Sequence, residues 1–501
     1  MAPQTTPVVD TLSGPVRGEQ VGEVAVFRGI PYAAPPVGAL RFRPPEPANG
    51  WNDIRDATRP GPIAPQLPSR LAAVMGDFDL PQSEDCLTLT IWTRTLGGKP
   101  APVLVWLHGG AFTSGSGQLP WYTGQSLAER GNMVVVTVSY RLGALGFLYL
   151  PGVADGNMGL CDQQAALRWI AANITRFGGD PGNVTVCGQS AGARSALILM
   201  GDGDSNRLFH RAILMSGPFG LAPAMPDRAA QSGREFLDLL GIAPGDAASL
   251  RAVPVERLLT TTIDQARRHR QFANARLPFD TVADGRLVAE DPVAAALQGA
   301  ALDIDVMVGT TRDESAAHLA FDPEVAAADH DRVRATADAW LGASGADQLA
   351  ELRRLWPHAM PYTLLVHLAT DYIFLRGTVS FAEARAKRGR PAYLYRFDWQ
   401  PPAVRIGACH CIELPFLFNN FTDWPGAAML AGGDPGAMSA LALALQDSVI
   451  AFARDGNPDC ATLPPWPPYT VPQRATMRFD TTVEAAGDLA GVGWRRAWGM
   501  A

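Results

Sequence analysis

The chain has 501 residues, 47% of them apolar and 18% charged, with a formal net charge of −7. This is the composition of a folded globular protein long enough to bury a sizeable core, and an acidic balance without a basic stripe excludes a nucleic-acid-binding surface. The N-terminal MAPQTTPVVDT has no basic stretch followed by an apolar one, and runs such as MVVVTVSYRLGALGFLYL are broken by Arg141 and glycines, so neither a signal peptide nor a membrane span is expected.

The six cysteines, at 86, 161, 187, 409, 411 and 460, are scattered and too few for a disulfide framework. They point to a reducing cytoplasm, where the sequons at Asn173, Asn183 and Asn420 have no role.

In chain order, strands are expected at 102–108, 133–140, 184–188, 305–309 and 393–397. Several are continuous apolar runs, as in parallel strands covered on both faces. Helices are expected between them, at 161–177 and through the Ala-rich 323–353. This alternation predicts an α/β fold with a central, mostly parallel sheet flanked by helices. The Pro- and Gly-rich stretches at 31–48 and 457–472 read as ordered surface coil, so residues 1–501 are read as one domain.

The first strand runs into LHGGAFTSGSG, residues 107–117. A glycine pair after a strand lets backbone amides approach a developing oxyanion, which makes Gly109 and Gly110 candidate donors. His108 reads as structural. At 184–195 the sequence VTVCGQSAGARS places Ser190 at a strand-to-helix corner within G-x-S-x-G. A nucleophile on so sharp a turn needs small neighbours, supplied by Gly188 and Gly192. The helix N-terminus adds positive dipole, and the Ala191 amide is a further oxyanion donor.

In this arrangement the acid and then the base follow the nucleophile. DVMVGTTRDES ends a strand and presents Asp313 and Glu314, between which spacing does not choose. Among the later histidines, His410 in RIGACHCIELPFLF stands out for its small neighbours; the others fall in helices or polar segments and read as satisfied or solvated.

Together these residues resemble the type-B carboxylesterases, the cholinesterase-like branch of the α/β-hydrolases, in the manner of the bacterial para-nitrobenzyl esterases. The resemblance spans almost the whole chain: FRGIPYAAPPVGALRFRPPEP (27–47), SEDCLTLTIW (83–92), the 156–192 block, GACHCIELPFLF (407–418) and LPPWPPY (463–469). It implies a Ser190–Glu314–His410 triad, an oxyanion hole at Gly109, Gly110 and Ala191, and long insertions shaping a gorge. It also implies structural ion pairs Arg41–Glu84 and Arg141–Asp180. The activity implied is hydrolysis of short or medium acyl or aryl esters with water, without a cofactor. An amidase or carbamate hydrolase with the same triad is the alternative, and a non-catalytic binding protein a remote one.

The chain departs from the family pattern at three places. Gln189 stands where the family usually has glutamate, which weakens any case for cationic substrates. Ala64 stands where secreted members carry the cysteine that pairs with Cys86. His410 lies between Cys409 and Cys411, a run too short to form a metal site alone but one that raises the question of thiol sensitivity. The aromatic residues Phe219, Phe272, Phe321 and Phe374 are candidates for either gorge lining or core. Oligomeric state is not legible.

Overall fold

A computed structural model describes residues 6–273 and 278–500. Among the described residues eleven strands form one sheet. In chain order they are β1 (Glu19–Val21), β2 (Val24–Pro31), β3 (Thr88–Thr93), β4 (Ala101–Leu107), β5 (Val134–Val138), β6 (Gly179–Gln189), β7 (Arg211–Met215), β8 (Asp305–Thr311), β9 (Tyr393–Phe397), β10 (Thr476–Phe479) and β11 (Glu484–Ala486). Across the sheet the order is β1-β2-β3-β5-β4-β6-β7-β8-β9-β10-β11. The seven strands from β5 to β10 are parallel; β1, β2, β3 and β11 run antiparallel to their neighbours. This is the α/β-hydrolase fold.

The central strands are apolar throughout because both faces are covered. In β4, Val103, Val105 and Leu107 join one core cluster, whereas Leu104 and Trp106 join the other. Side chains on a strand alternate between faces, so a continuous apolar run feeds two cores. Trp106 lies against Tyr122 and Phe418, with ring centroids 5.3 and 5.1 Å away.

Two helices pack against β6. Helix α1 (Met158–Asn173) is shifted from the expected 161–177, because residues Ile174–Phe177 form a tighter 3₁₀ turn ended by Gly178 at φ 81°. Helix α2 (Ala191–Gly201) follows β6 directly.

The expected long helix at 323–353 is broken into a turn at Pro323–Ala326, α3 (His330–Leu341), a 3₁₀ turn at Gly342–Ser344 and α4 (Gly345–Leu355). Alanine content favours helix throughout, but capping decides the boundaries. Asp322 and Asp329 each accept a backbone N–H of a new first turn, and Gly342 at φ 56° ends α3.

Helix α5 (Pro435–Asp455) starts at the Asp434 cap with proline in its first turn and stops at Gly456, φ 77°. Among the described residues it alone is long and apolar enough to cross a membrane; 67% of that stretch is buried inside the fold, where it packs on β4 and β6.

One expected ion pair is found and one is corrected. Arg41 grips Glu84 through two 2.6 Å bonds. Arg141 pairs with Asp162, at 2.6 and 2.8 Å, and not with Asp180. Asp162 is fully buried on the inward face of α1, whereas Asp180, half-buried at the start of β6, accepts the Gly182 amide.

Candidate active site

The elbow is built by steric exclusion. Ser190 sits between β6 and α2 at φ 56°, ψ −120°, a conformation costly to any residue with a Cβ. A Cβ on Gly192 would lie 1.9 Å from the Leu107 carbonyl oxygen, and one on Gly188 would lie 2.4 Å from the Gly192 carbonyl. Only glycine lets β4, β6 and α2 come so close. The Ser190 amide donates to the Met215 carbonyl at 2.9 Å, which ties the turn to β7.

The loop after β4 presents Gly109 and Gly110 beside the serine. A Cβ on Gly109 would lie 3.0 Å from Ser190 Cβ, and Gly110 has φ 111°. Among the described residues the amides of Gly109, Gly110 and Ala191 give no turn or loop hydrogen bond, so all three remain available to an incoming group. His108 supports this loop from beneath. Its ring stacks on Tyr140 at 4.2 Å, its Nδ1 faces the Gly109 carbonyl at 2.7 Å, and burial lowers its pKa to about 4.

His410 and Glu314 meet on the loops after β9 and β8. Nδ1 of His410 is 2.5 Å from Glu314 Oε2, and both residues are buried. Oε1 of Glu314 accepts the Thr311 amide at 2.8 Å, so both carboxylate oxygens are engaged. Asp313 has a different task. Its Oδ2 accepts the Ala408 amide at 2.9 Å and pairs with Arg312, which anchors the loop carrying His410. Burial acts to lower the pKa of His410, but the Cys411 sulfur and the Glu314 carboxylate outweigh it and leave that pKa well above the ordinary histidine value.

Nε2 of His410 faces Gln189 Nε2 at 3.2 Å, and Gln189 Nε2 also donates to Cys411 Sγ at 3.3 Å. Among the described residues Ser190 Oγ makes no hydrogen bond. Bonds between nucleophile and base are often loose without substrate and tighten in the complex.

Ser190, His410 and the glycine loop open on one cavity of about 830 Å³, a size suited to a small organic ligand. Of the four phenylalanines weighed above, Phe374 lines it, 5.0 Å ring to ring from His410. Phe219 is core against Phe381, Phe272 lies under Arg332, and Phe321 is exposed.

Several neighbours were not singled out by their residue types. His318, read as satisfied or solvated, is half-buried, with its ring 5.4 Å from that of His410. Burial, His410 and Arg70 together hold its pKa well below the usual value. Glu413 is fully buried; Ser216 donates to it at 2.9 Å, and burial with the nearby Glu314 charge raises its pKa to about 7. A carboxylate three residues beyond His410, inside the apolar CIELPFLF, was the available signal. Arg194 is buried one helical turn beyond Ser190 and lines the cavity.

All six cysteines are free. Cys409 and Cys411 are buried, and burial leads the causes that raise both thiols above their ordinary pKa. Cys161 is pushed up to about 12, again by burial.

The carboxylesterase family model matches residues 5–490. The chain belongs to the carboxylesterase family. This carboxylesterase is 39% identical to a phenmedipham hydrolase of Pseudarthrobacter oxydans, over 97% of this chain and 98% of that protein. It is 38% identical to a para-nitrobenzyl esterase of Bacillus subtilis, over 97% of each. A solved carboxylesterase of Geobacillus stearothermophilus superposes with a TM-score of 0.88 at 36% identity, covering 98% of this chain and 99% of the other. The enzyme is thus a carboxylic ester hydrolase whose substrates are a small-molecule ester and water.

Proposed function

We propose that this carboxylesterase cleaves short or medium acyl and aryl esters through an acyl-enzyme on Ser190. In the reacting complex His410 Nε2 turns from Gln189 to the Ser190 hydroxyl and takes its proton as Oγ attacks the ester carbonyl. Glu314 fixes the tautomer that leaves Nε2 free and stabilises the imidazolium that forms. The oxyanion is received by the amides of Gly109, Gly110 and Ala191, and each such donor contributes about 10²–10³ in kcat. His410 then protonates the leaving alcohol, and water repeats the sequence on the acyl-enzyme.

The observation that carries this reading is the strained Ser190 sharing one cavity with a histidine whose far nitrogen is 2.5 Å from a buried carboxylate. The test is hydrolysis of p-nitrophenyl acetate, butyrate and octanoate by the wild type and by Ser190→Ala, with the fold of the variant checked by circular dichroism. Expected is a loss on the order of 10⁶ in kcat for the variant. Equal rates would return the assignment of all three residues to the start.

The similarity to a phenmedipham hydrolase supports a second reading, in which the same triad also accepts that compound. Turnover of phenmedipham beside the esters decides it. Six free thiols support action in a reducing, cytoplasmic setting. A sheet whose strands run from Glu19 to Ala486 supports the one-domain reading.

A further inference from the structure

Arg194 belongs to neither the triad nor the oxyanion hole. It lies on α2, four residues after Ser190, and its amide donates to the Ser190 carbonyl at 3.0 Å. Its side chain is 5% exposed and forms part of the cavity wall. Among the described residues Nη2 has no hydrogen-bond partner. The nearest acid, Asp280, stands 3.9 Å away, beyond hydrogen-bonding distance. Asp280 is 37% exposed, and its Oδ1 already accepts the Thr281 amide at 2.7 Å. A partly hydrated acid at that distance compensates a buried cation poorly.

Other charges on this wall do not fill the gap. Glu235 is engaged by His269 at 2.7 Å, and Arg228 is exposed. A guanidinium remains charged at every working pH, and a buried charge without a partner is costly. A substrate group entering here covers the last exposed edge of Arg194. A neutral group then leaves the cation more isolated, whereas a carboxylate accepts two parallel N–H bonds from its planar fork.

We propose that this wall is a carboxylate subsite, and that the preferred esters carry a free carboxylate on the arm that reaches Arg194. The inference rests on Ser190 being the nucleophile, and it narrows the substrate class from esters in general to half-esters and carboxylated aryl esters.

Two matched substrate pairs test it and identify the arm. Mono(4-nitrophenyl) glutarate against 4-nitrophenyl valerate places the charge on the acyl side. 4-Acetoxybenzoate against its methyl ester places it on the leaving group. Expected is a higher kcat/KM for the charged member of one pair. In Arg194→Met that ratio falls roughly 10–100-fold, the loss of a charge-assisted hydrogen bond, and Arg194→Lys retains part of it.

A ratio at or below one in both pairs, or the same ratio in wild type and Arg194→Met, overturns the subsite while leaving the esterase reading intact. No difference between wild type and Ser190→Ala on the neutral esters is the separate failure of that reading, and takes the subsite with it. Should Arg194→Met not fold, inhibition of wild-type valerate ester turnover decides. Glutarate is expected to inhibit at least tenfold more strongly than glutaramide, and equal inhibition overturns the proposal.

Discussion

The two halves of the site are held in different ways. The elbow at Gly188–Gly192 is fixed by backbone: Gly192 meets the Leu107 carbonyl of β4 and Gly188 the Gly192 carbonyl at distances that no Cβ tolerates, and the serine is locked in a strained conformation. The loop at 406–413 is fixed by polar side chains in a dry interior: Asp313 holds the Ala408 amide, Glu314 holds His410, and Ser216 holds Glu413. Steric placement is rigid and insensitive to pH. Placement by buried charges ties geometry to protonation.

Breaking the charged half most directly is Glu314→Gln. The amide cannot stabilise an imidazolium or enforce the tautomer, so kcat should fall about 10⁴-fold. The same change should move the acid limb of the pH–rate profile downward, because it removes a carboxylate that raises His410. In the wild type only unprotonated His410 accepts the Ser190 proton. Its raised pKa therefore places the inflection in kcat/KM above about 6.5, the ordinary histidine value. A profile levelling off well below that pH would contradict the charge arrangement around the base.

The steric half is probed by Gly192→Ala. The added methyl, 1.9 Å from the Leu107 oxygen, forces strand and helix apart, and a shift near 1 Å costs about 10²-fold in turnover. Its residual activity should keep the wild-type pH profile, which separates it from Glu314→Gln.

A smaller effect is expected from Asp313→Ala. It strands the buried Ala408 amide and removes the partner of Arg312, lowering stability by about 1–3 kcal/mol in urea titration. The smallest concerns the thiols beside the base. Buried, and with burial raising both thiols, Cys409 and Cys411 should leave activity nearly unchanged during iodoacetamide treatment at pH 7.5. Rapid inactivation, absent in Cys411→Ser, would show the loop to be open.

The same contrast explains what the sequence disclosed. Steric demands are local, so GQSAG and HGG announce the elbow and its facing loop within a few residues. Continuous apolar runs alternating with helical segments disclosed the parallel sheet for the same reason. The charged half assembles from three distant loops. Asp313 and Glu314 are neighbours with equal claims until the loop from β8 turns, and family resemblance, not spacing, favoured Glu314.

His318 carries no local mark and joins the cavity through tertiary packing. Arg194 follows Ser190 by one helical turn, but only the packed structure shows its side chain buried on the cavity wall. Arg141 found Asp162 because α1 turns that face inward, a matter of helix phase that pairing by resemblance placed at Asp180. The long helix at 323–353 failed for a readable reason: Asp322 and Asp329 are both caps, and the alanines between them concealed it.

The cysteine inventory has a practical side. Cys86, Cys187, Cys409 and Cys411 are buried, and the half-buried Cys161 has a thiol held up to about 12. Cys460 lies in the 457–472 coil, outside the residues that line the cavity. A maleimide should therefore attach the folded enzyme to a surface or a dye through this one sulfur, in a single orientation and with the catalytic mouth left open.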